Sequence, residues 1–260
     1  MKLTFLGTGT SQGVPVIGCG CAVCTSADPR DNRLRTSAMV ETDSGVRLII
    51  DAGPDFRQQM LRQKVRKIDA ILLTHGHIDH IGGIDDVRAF NFVDYPDIHI
   101  IDIYAAPHTT HVVSHVFAYA FEENRYRGVP EIELHAIDES KPFTVNGVGI
   151  TPFAGRHSRF SVTGYRIGKL AYMTDFKEID DTELEKLKGV EVLVINGLRP
   201  RIHDSHFSIG EALGVIAKVA PKRAFLTHLS HEAGLHAASG RMLPENVEFA
   251  YDGLTVEIQE

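Results

Sequence analysis

The sequence predicts an α+β fold in which two β-sheets pack face to face and helices cover their outer sides. The first observation is a series of short β-type runs, at residues 3–6, 38–41, 47–51, 70–74, 98–104, 131–136, 149–153, 162–167, 170–174, 192–195, 224–227, 247–250 and 255–258. The second is that helical patterns follow only some of these runs, at residues 55–63, 109–120, 182–187 and 209–219. A doubly wound parallel sheet would alternate strand and helix, so the pattern favours a two-sheet sandwich.

The composition predicts a single domain covering residues 1–260. Hydrophobic residues make up 43% and charged residues 23% of the chain, an ordinary globular balance that can fill a sizeable core. Glycine and proline are scattered, and no low-complexity stretch suggests a linker. The helical pattern at 209–219 also has a start signal, because Ser208 is followed three residues later by Glu211, the spacing of a capping box.

The net charge and the lack of targeting signals argue against three features: a long nucleic-acid substrate, secretion and insertion into a membrane. The formal net charge is −7 and no cluster of Lys and Arg is visible, so a long nucleic acid is not expected as substrate. The first residues lack the long apolar segment and cleavage site of a signal peptide. Apolar runs such as residues 68–73 are too short to span a bilayer. We therefore expect a cytoplasmic protein without a membrane partner.

The strongest chemical signal is a cluster of ligand-type residues after the apolar run that ends at Thr74. His75, His77, Asp79 and His80 fall within six positions. Imidazoles and carboxylates suit zinc, manganese and iron, and an extended chain places His75 and His77 on one side. The alternative is a histidine-rich surface loop or a set of core histidines. Four such residues in six positions favour a metal site, and the turn that follows, through Ile81-Gly82-Gly83, would aim Asp79 and His80 at a second ion.

The segment His75-Gly76-His77-Ile78-Asp79-His80 resembles the H-x-H-x-D-H signature of the metallo-β-lactamase superfamily. The resemblance implies a four-layer αββα sandwich with a pair of metal ions at one edge of the two sheets. It also implies three further ligands, each of which follows an apolar run in the expected order: His157, Asp175 and His228. By this resemblance one ion is held by His75, His77, His157 and Asp175, and the other by Asp79, His80, Asp175 and His228.

The position of Asp175 bears on the reaction. True β-lactamases of the superfamily usually carry a cysteine there, and this chain carries an aspartate. Since a secretory signal is also lacking, we do not expect hydrolysis of antibiotics.

A second cluster, Cys19-Gly20-Cys21-Ala22-Val23-Cys24, contains all three cysteines of the chain. Structural zinc takes four ligands, so a fourth must come from elsewhere, unless the cysteines are simply clustered thiols. Together with the glycine-rich segment at residues 7–15, this cluster is similar to the superfamily branch of the phosphonate-pathway cyclic phosphodiesterase (PhnP-like) and its relative in quinone-cofactor synthesis. The resemblance implies one structural zinc held by Cys19, Cys21, Cys24 and His231, which would hold the glycine-rich segment beside the site.

Histidines and arginines elsewhere have less specific interpretations. Superfamily phosphodiesterases place a proton-donating histidine just before the helix predicted at 209–219, and Ser205-His206-Phe207-Ser208 matches that segment. His206 is therefore the expected donor, with His203 as the alternative. Four arginines could supply phosphate contacts, and at least two of them are interpreted as solvated surface residues; they are Arg156, Arg159, Arg199 and Arg201. The helically spaced His108, His111 and His115 are interpreted as a solvated or subunit-contact face.

Taken together, these features predict a dinuclear metal-dependent phosphodiesterase that acts on a small cyclic or nucleotide-type phosphodiester. The metals would be zinc or manganese, with iron also compatible. A hydroxide shared by the ions and oriented by Asp79 would attack phosphorus, and His206 would protonate the leaving oxygen. The alternatives are an endonuclease for transfer-RNA 3′ ends, a thioester or lactone hydrolase, and a non-catalytic cofactor carrier. A homodimer is the default oligomeric state.

Overall fold

The computed structural model describes residues 1–259, which form two seven-stranded sheets. The strands of the first sheet are β1 (Lys2–Gly7), β2 (Ser37–Glu41), β3 (Arg47–Ile50), β4 (Ala70–Leu72), β5 (Ile101–Ala105), β6 (Ile132–Ala136) and β14 (Thr255–Glu257). Their spatial order is β14-β1-β2-β3-β4-β5-β6. The first four strands in this order are antiparallel neighbours, and the pairs from β3 to β6 are parallel.

The second sheet has the same number of strands and a similar plan. Its strands are β7 (Phe143–Val145), β8 (Val148–His157), β9 (Phe160–Ile167), β10 (Leu170–Met173), β11 (Val192–Asn196), β12 (Arg223–Thr227) and β13 (Val247–Phe249). They lie in the order β13-β12-β11-β10-β9-β8-β7. The pairs from β7 to β10 are antiparallel and those from β10 to β13 are parallel.

In residues 1–259, seven α-helices cover the outer faces of the sheets or lie within the loops between strands. They are α1 (Phe56–Gln63), α2 (Ile78–Ile81), α3 (Arg88–Asn91), α4 (Pro107–Val116), α5 (Asp181–Glu185), α6 (Ile209–Val219) and α7 (His236–Gly240). Phe56 of α1 and Val113 of α4 are buried in one apolar cluster with the outer face of the first sheet. Ala212 and Ile216 of α6 are buried in another with the outer face of the second sheet.

Successive side chains of β3 point alternately into the core between the sheets and into the core under the helices. On β3, Leu48 and Ile50 are buried between the two sheets, whereas Ile49 is buried under the helices. Period-two alternation of this kind gives both faces of a strand apolar partners, and each such side chain contributes about 1.5–3 kcal/mol by leaving water. Two cores outside and one between the sheets confirm the predicted four-layer αββα sandwich.

The two sheets are joined at the edge where the parallel strands end. The hydroxyl of Tyr165 on β9 donates a hydrogen bond of 2.6 Å to the carbonyl of Leu73, and the amide of Thr163 donates one of 2.9 Å to the carbonyl of Thr74. Since Leu73 and Thr74 follow β4, these bonds hold the loop after β4 against the second sheet. Loops from both sheets therefore converge at one edge.

The predicted elements differ from the observed ones in a few places. The strand predicted at 98–104 begins at Ile101, and Ile98 and Ile100 before it are exposed. Strand β7 was missed, although the Asn146-Gly147 pair after it, with φ of 46° and 84°, is the sequence signal of a two-residue hairpin. The capping box at Ser208 is confirmed, because the Ser208 side chain accepts from the Glu211 amide and the Glu211 side chain accepts from the Ser208 amide. Within the described chain, no helix has the length and apolar character needed to cross a bilayer.

A test of this packing uses Gly53, which lies where the chain after β3 passes the loop after β4. A β-carbon there would lie 2.0 Å from the carbonyl oxygen of Asp79. We expect Gly53→Ala to destabilise the protein by about 1–3 kcal/mol, because backbone must move to admit the methyl group. Gly214→Ala is the control, since nothing lies within 4 Å of a β-carbon on α6 and alanine is favoured in helices.

Urea denaturation of the two variants and the wild type measures this difference. Gly214→Ala should match or exceed the wild-type midpoint. A Gly53→Ala midpoint equal to that of the wild type would contradict the close approach of the two segments.

Candidate metal centre

The loop after β4 changes from extended chain to helix within six residues. His75 and His77 lie on the extended part, where Nε2 of His75 is 2.9 Å from Nδ1 of His77. Helix α2 begins directly after His77 and carries Asp79 and His80. This change of direction aims the two pairs of side chains at neighbouring points, and it comes earlier than the predicted turn at Ile81-Gly82-Gly83.

Two groups of ligand-type atoms form around this loop. In each group one atom from every residue lies within 4.8 Å of the others; the groups are His75, His77 and His157, and Asp79, His80 and His228. His157 ends β8, and its Nδ1 donates to the carbonyl of Ser205 at 2.7 Å. His228 follows β12, and its Nδ1 is 3.1 Å from Oγ1 of Thr36. These bonds leave each Nε2 free to face its group.

Asp175 lies between the two groups. Its Oδ2 is 3.2 Å from Nε2 of His80, and its Oδ1 is 3.2 Å from Nε2 of His228. It also forms a third ligand-type group with His75 and His80, and all three are buried. The seven side chains that the resemblance implied for the two ions are therefore all brought together at this edge.

The donor set fits divalent cations. Nε2 of His80 is buried and lacks a hydrogen-bond partner of acceptable geometry in residues 1–259, although oxygens of Asp79 and Asp175 each lie 3.2 Å away. Burial lowers the pKa of His80, but Asp175, Asp79 and Asp51 outweigh it and raise that pKa well above 6.5. The carboxylates thus favour positive charge at this point, and a divalent ion can supply it in place of a proton.

Burial favours the neutral form of His75 and His228. Burial lowers the pKa of His75 well below 6.5 and that of His228 to about 3. Burial raises the pKa of Asp175, but His228, His80 and His206 outweigh it and bring that pKa well below 3.8. Neutral imidazoles around an ionised carboxylate are the protonation states that metal coordination requires.

Asp51 is a functional residue that the sequence prediction missed. It is fully buried, its Oδ2 lies 2.7 Å from Nδ1 of His80, and its Oδ1 accepts the amide of Thr74 at 2.8 Å. The carboxylate fixes the His80 ring so that Nε2 faces Asp79 and Asp175. An aspartate directly after the apolar strand β3, before Ala52-Gly53, was the available signal.

The backbone at these strand ends is in an unusual conformation. Asp51, Asp175 and His228 have φ of 63°, 62° and 54°, in the left-handed region that non-glycine residues rarely adopt. Each follows the end of a strand, and each side chain is buried in the cluster. Strain of this kind persists where surrounding contacts determine the conformation, and here it aims polar groups inward at the end of a strand.

The cysteine cluster is also assembled. Nδ1 of His231 lies 3.3, 3.4 and 3.5 Å from Sγ of Cys19, Cys21 and Cys24. One ring nitrogen cannot form hydrogen bonds with three thiols at once, whereas four such atoms around one point suit tetrahedral zinc. The Cys24 amide and then His231 lower the pKa of Cys21 to about 6, and burial raises that of Cys24 to about 11.

The glycine-rich segment connects the two clusters. Val16 donates its amide to Sγ of Cys24 at 3.3 Å, and Oγ1 of Thr10 lies 3.2 Å from Nε2 of His228. The segment therefore lines the metal centre at Thr10 and is held by the cysteine cluster a few residues later.

His206, rather than His203, reaches the centre. Nε2 of His206 lies 2.9 Å from Oδ1 of Asp175, and its ring stacks on that of His228 with centroids 5.0 Å apart. His203 lies behind it, with its Nδ1 3.3 Å from Nδ1 of His206 and the Ser205 hydroxyl within 3.2 Å of both. Burial lowers the pKa of His203 below 6.5.

The remaining basic residues fall into paired and unpaired sets. Arg156 pairs with Glu178, and Arg199 and Arg201 both pair with Glu232. Arg159 lies over the ring of Phe160, 5.1 Å from its centroid. The helically spaced histidines are exposed on α4, as predicted; they are His108, His111 and His115.

Comparisons with known proteins agree with this architecture. Residues 46–229 match the family described as the beta-lactamase superfamily domain. A crystal structure described as a new diphosphatase from the PhnP family is 40% identical, covers 99% of this chain and 98% of that chain, and has a TM-score of 0.92. The Zn²⁺-bound PqqB of Methylobacterium extorquens shares the fold at 21% identity, with a TM-score of 0.78 and coverage of 99% and 100%.

A curated relative extends beyond this domain. The octanoyltransferase of Porphyromonas gingivalis strain W83 is 40% identical over 261 residues, which cover 100% of this chain but 52% of that protein. The chain therefore spans about half the length of that relative. The match to the family covers most of the chain, and the fold and the assembled histidines agree with it. The chain belongs to the metallo-β-lactamase superfamily, in its PhnP-like branch.

Proposed function

We propose that this protein is a phosphodiesterase that uses two divalent metal ions to hydrolyse a small cyclic or nucleotide-type phosphodiester. The observation that carries the proposal is the position of Asp175. Its carboxylate touches both ligand groups, and Nε2 of His206 lies 2.9 Å from it. His206 is thus placed directly beside the carboxylate that would hold both ions.

The residues would divide the work as follows. One ion would be held by His75, His77 and His157, the other by Asp79, His80 and His228, and Asp175 would bind both. Such a pair activates water and polarises a phosphoryl oxygen, and zinc and manganese both suit these ligands. Asp51 positions His80, and Thr36 and Ser205 position His228 and His157. Cys19, Cys21, Cys24 and His231 would hold a structural zinc.

Two residues would handle protons. Asp79 has a partly exposed carboxylate next to His80, where it can accept a hydrogen bond from the attacking water. His206 can donate a proton to the departing oxygen, because its Nε2 faces the cluster and its Nδ1 is within 2.9 Å of the Ser205 hydroxyl. General acid catalysis of this kind typically contributes a factor of about 10²–10⁴.

The size and charge of the substrate follow from the surface. The net charge is −7, and Arg199 and Arg201 near His206 share one acidic partner, Glu232. A long polyanion such as transfer RNA would need an extended basic surface, so a small substrate is favoured. The 40% identical structure described as a diphosphatase supports attack on a phosphoryl group. A carrier role is disfavoured because every ligand position is filled.

The second candidate is hydrolysis of an acyl thioester or other ester, which a related metal centre could also activate. The 40% identical octanoyltransferase favours it, since that name indicates acyl chemistry in a protein that contains a similar domain. The rest of that protein, about half of its length, can account for the name, so the phosphodiesterase remains the first proposal.

The first test is hydrolysis of 2′,3′-cyclic AMP and of bis(p-nitrophenyl) phosphate by protein reloaded with manganese or zinc. We expect His206→Ala to lower kcat for the cyclic nucleotide by about 10²–10⁴-fold, because its ribose oxygen needs a proton to leave. The loss with the nitrophenyl diester should be smaller, because nitrophenolate leaves readily as an anion. His99→Ala is the control, since His99 is exposed and its side chain pairs with Asp94.

Three outcomes of this assay are informative. A larger loss in His203→Ala than in His206→Ala would transfer the donor role to His203. No turnover of either diester at full metal occupancy would exclude the phosphodiesterase. Turnover of p-nitrophenyl octanoate under those conditions would then support the acyl hydrolase.

The second test is the metal content of purified protein, measured by elemental analysis. We expect about three divalent ions per chain, given the donor sets. Cys21→Ser should lose about one ion and Asp175→Asn about two, because Asp175 faces both ligand groups. Glu178→Gln, an exposed partner of Arg156, is the control. Wild-type content in folded Cys21→Ser would contradict the structural zinc.

A further inference from the structure

We infer that Phe160 and Arg159 form a recognition site for substrates that carry a planar aromatic group, such as a nucleobase, in addition to the phosphate. The inference rests on the proposed phosphodiesterase and names the class of substrate that this chain prefers. Neither residue belongs to the ligand groups. Both lie at the turn that joins β8 to β9, beside the metal centre.

The turn is fixed by the metal centre. His157 and Phe160 are paired opposite each other in the last register position of the β8–β9 hairpin, and Ser158 and Arg159 form the turn between them. Ser158 has φ of 55°, which suits a tight two-residue connection. Because His157 is anchored to Ser205 and belongs to the first ligand group, the position of Phe160 relative to that group is set.

Phe160 is an exposed aromatic side chain in contact with that group. Its ring meets the His77 ring edge to face, with centroids 5.6 Å apart and an interplanar angle of 80°. Yet Phe160 is 45% exposed, although most aromatic side chains of this chain are buried in the cores. An apolar ring held at a catalytic edge and left open to solvent is a surface on which a planar group can stack.

Arg159 adds a positive charge at the same place. Its guanidinium lies over the Phe160 ring, 5.1 Å from the centroid. A planar group that stacks on this face of the ring would displace the guanidinium and leave it free to turn toward the phosphate. No carboxylate in the described part of the chain pairs with Arg159, whereas Arg156, Arg199 and Arg201 all have acidic partners. In a chain of net charge −7, this unpaired arginine is available to a phosphate oxygen.

An exposed apolar side chain also follows His77 in the chain. Ile78, the residue after His77, is 56% exposed. An aromatic ring, an arginine and an exposed isoleucine match a ligand with one anionic group and one flat, weakly hydrated group. A nucleotide has this chemistry, and a sugar phosphate without a base does not.

Binding of AMP and of ribose 5-phosphate to the metal-loaded protein tests the inference without turnover. The two ligands share the phosphate and the ribose, so their difference in Kd measured by calorimetry isolates the base. We expect AMP to bind about tenfold or more tightly than ribose 5-phosphate, as base stacking on an aromatic ring allows. Phe160→Ala should abolish most of this difference, and Phe160→Tyr should retain it.

Two further variants separate the roles. Arg159→Ala should weaken both ligands, because its guanidinium addresses the phosphate that they share. Phe121→Ala removes a partly exposed aromatic residue from another segment and should change neither Kd.

The outcomes distinguish this inference from the proposed function. Equal binding of both ligands by the wild type, together with hydrolysis of the diesters, would overturn the recognition site and leave the phosphodiesterase standing. Binding of neither ligand and no hydrolysis would overturn both. A preference for AMP that survives in Phe160→Ala would show that the base binds elsewhere and would also overturn the inference.

Discussion

Asp175 carries a negative charge that is almost completely removed from water at the edge where the two sheets meet. Burial of an ionised carboxylate is costly unless opposite charge or hydrogen bonds surround it. Here His80, His206 and His228 all approach its oxygens within 3.2 Å. The loops of both sheets must converge to provide these partners. The strand ends, helices and turns around this edge therefore have to bring His80, His206 and His228 to the same carboxylate.

The fold meets this requirement by precise backbone placement. Gly53 and Gly83 allow close approach of the segments after β3 and β4, since a β-carbon on Gly83 would lie 2.1 Å from the carbonyl of Gly53. Left-handed conformations at Asp51, Asp175 and His228 direct side chains inward at the end of a strand. Such local strain is compensated by the three apolar cores, which bury both faces of the strands that carry these residues.

At this edge the proposed reaction site and the proposed recognition site are formed by different residues. In the proposed function the buried ligand groups would activate a phosphoryl centre, whatever is attached to it, whereas Arg159 and Phe160 at the β8–β9 turn and Ile202 in the loop before α6 are exposed. His157 and Phe160 are paired on one hairpin but have different environments. The His157 ring is buried in the first ligand group, and the Phe160 ring is open to solvent. Changes in such turns can alter the preferred substrate without disturbing the metal centre.

Much of the fold and of the candidate site could be predicted from the sequence, because the informative residues recur at regular intervals or lie close together in the chain. The β runs and their uneven alternation with helices indicated the sandwich, because strand and helix periods are local properties. The ligands from His75 to His80 and the three cysteines lie within six positions each, so their chemistry was visible without a fold. His157, Asp175, His228 and His231 were placed by resemblance, and the structure brings each to its cluster.

Only the tertiary structure decided which distant residues meet. Asp51 is 29 positions from His80 and Thr36 is 192 positions from His228, and no local pattern links such pairs. The pairing of Arg199 and Arg201 with Glu232 likewise depends on how the loops pack, as does the lack of a carboxylate partner for Arg159 within residues 1–259. The choice of His206 over His203 at Asp175 was open in the sequence, because both precede the same helix. Packing decided it, since the Ser205 to Phe207 turn directs one ring inward and leaves the other behind it.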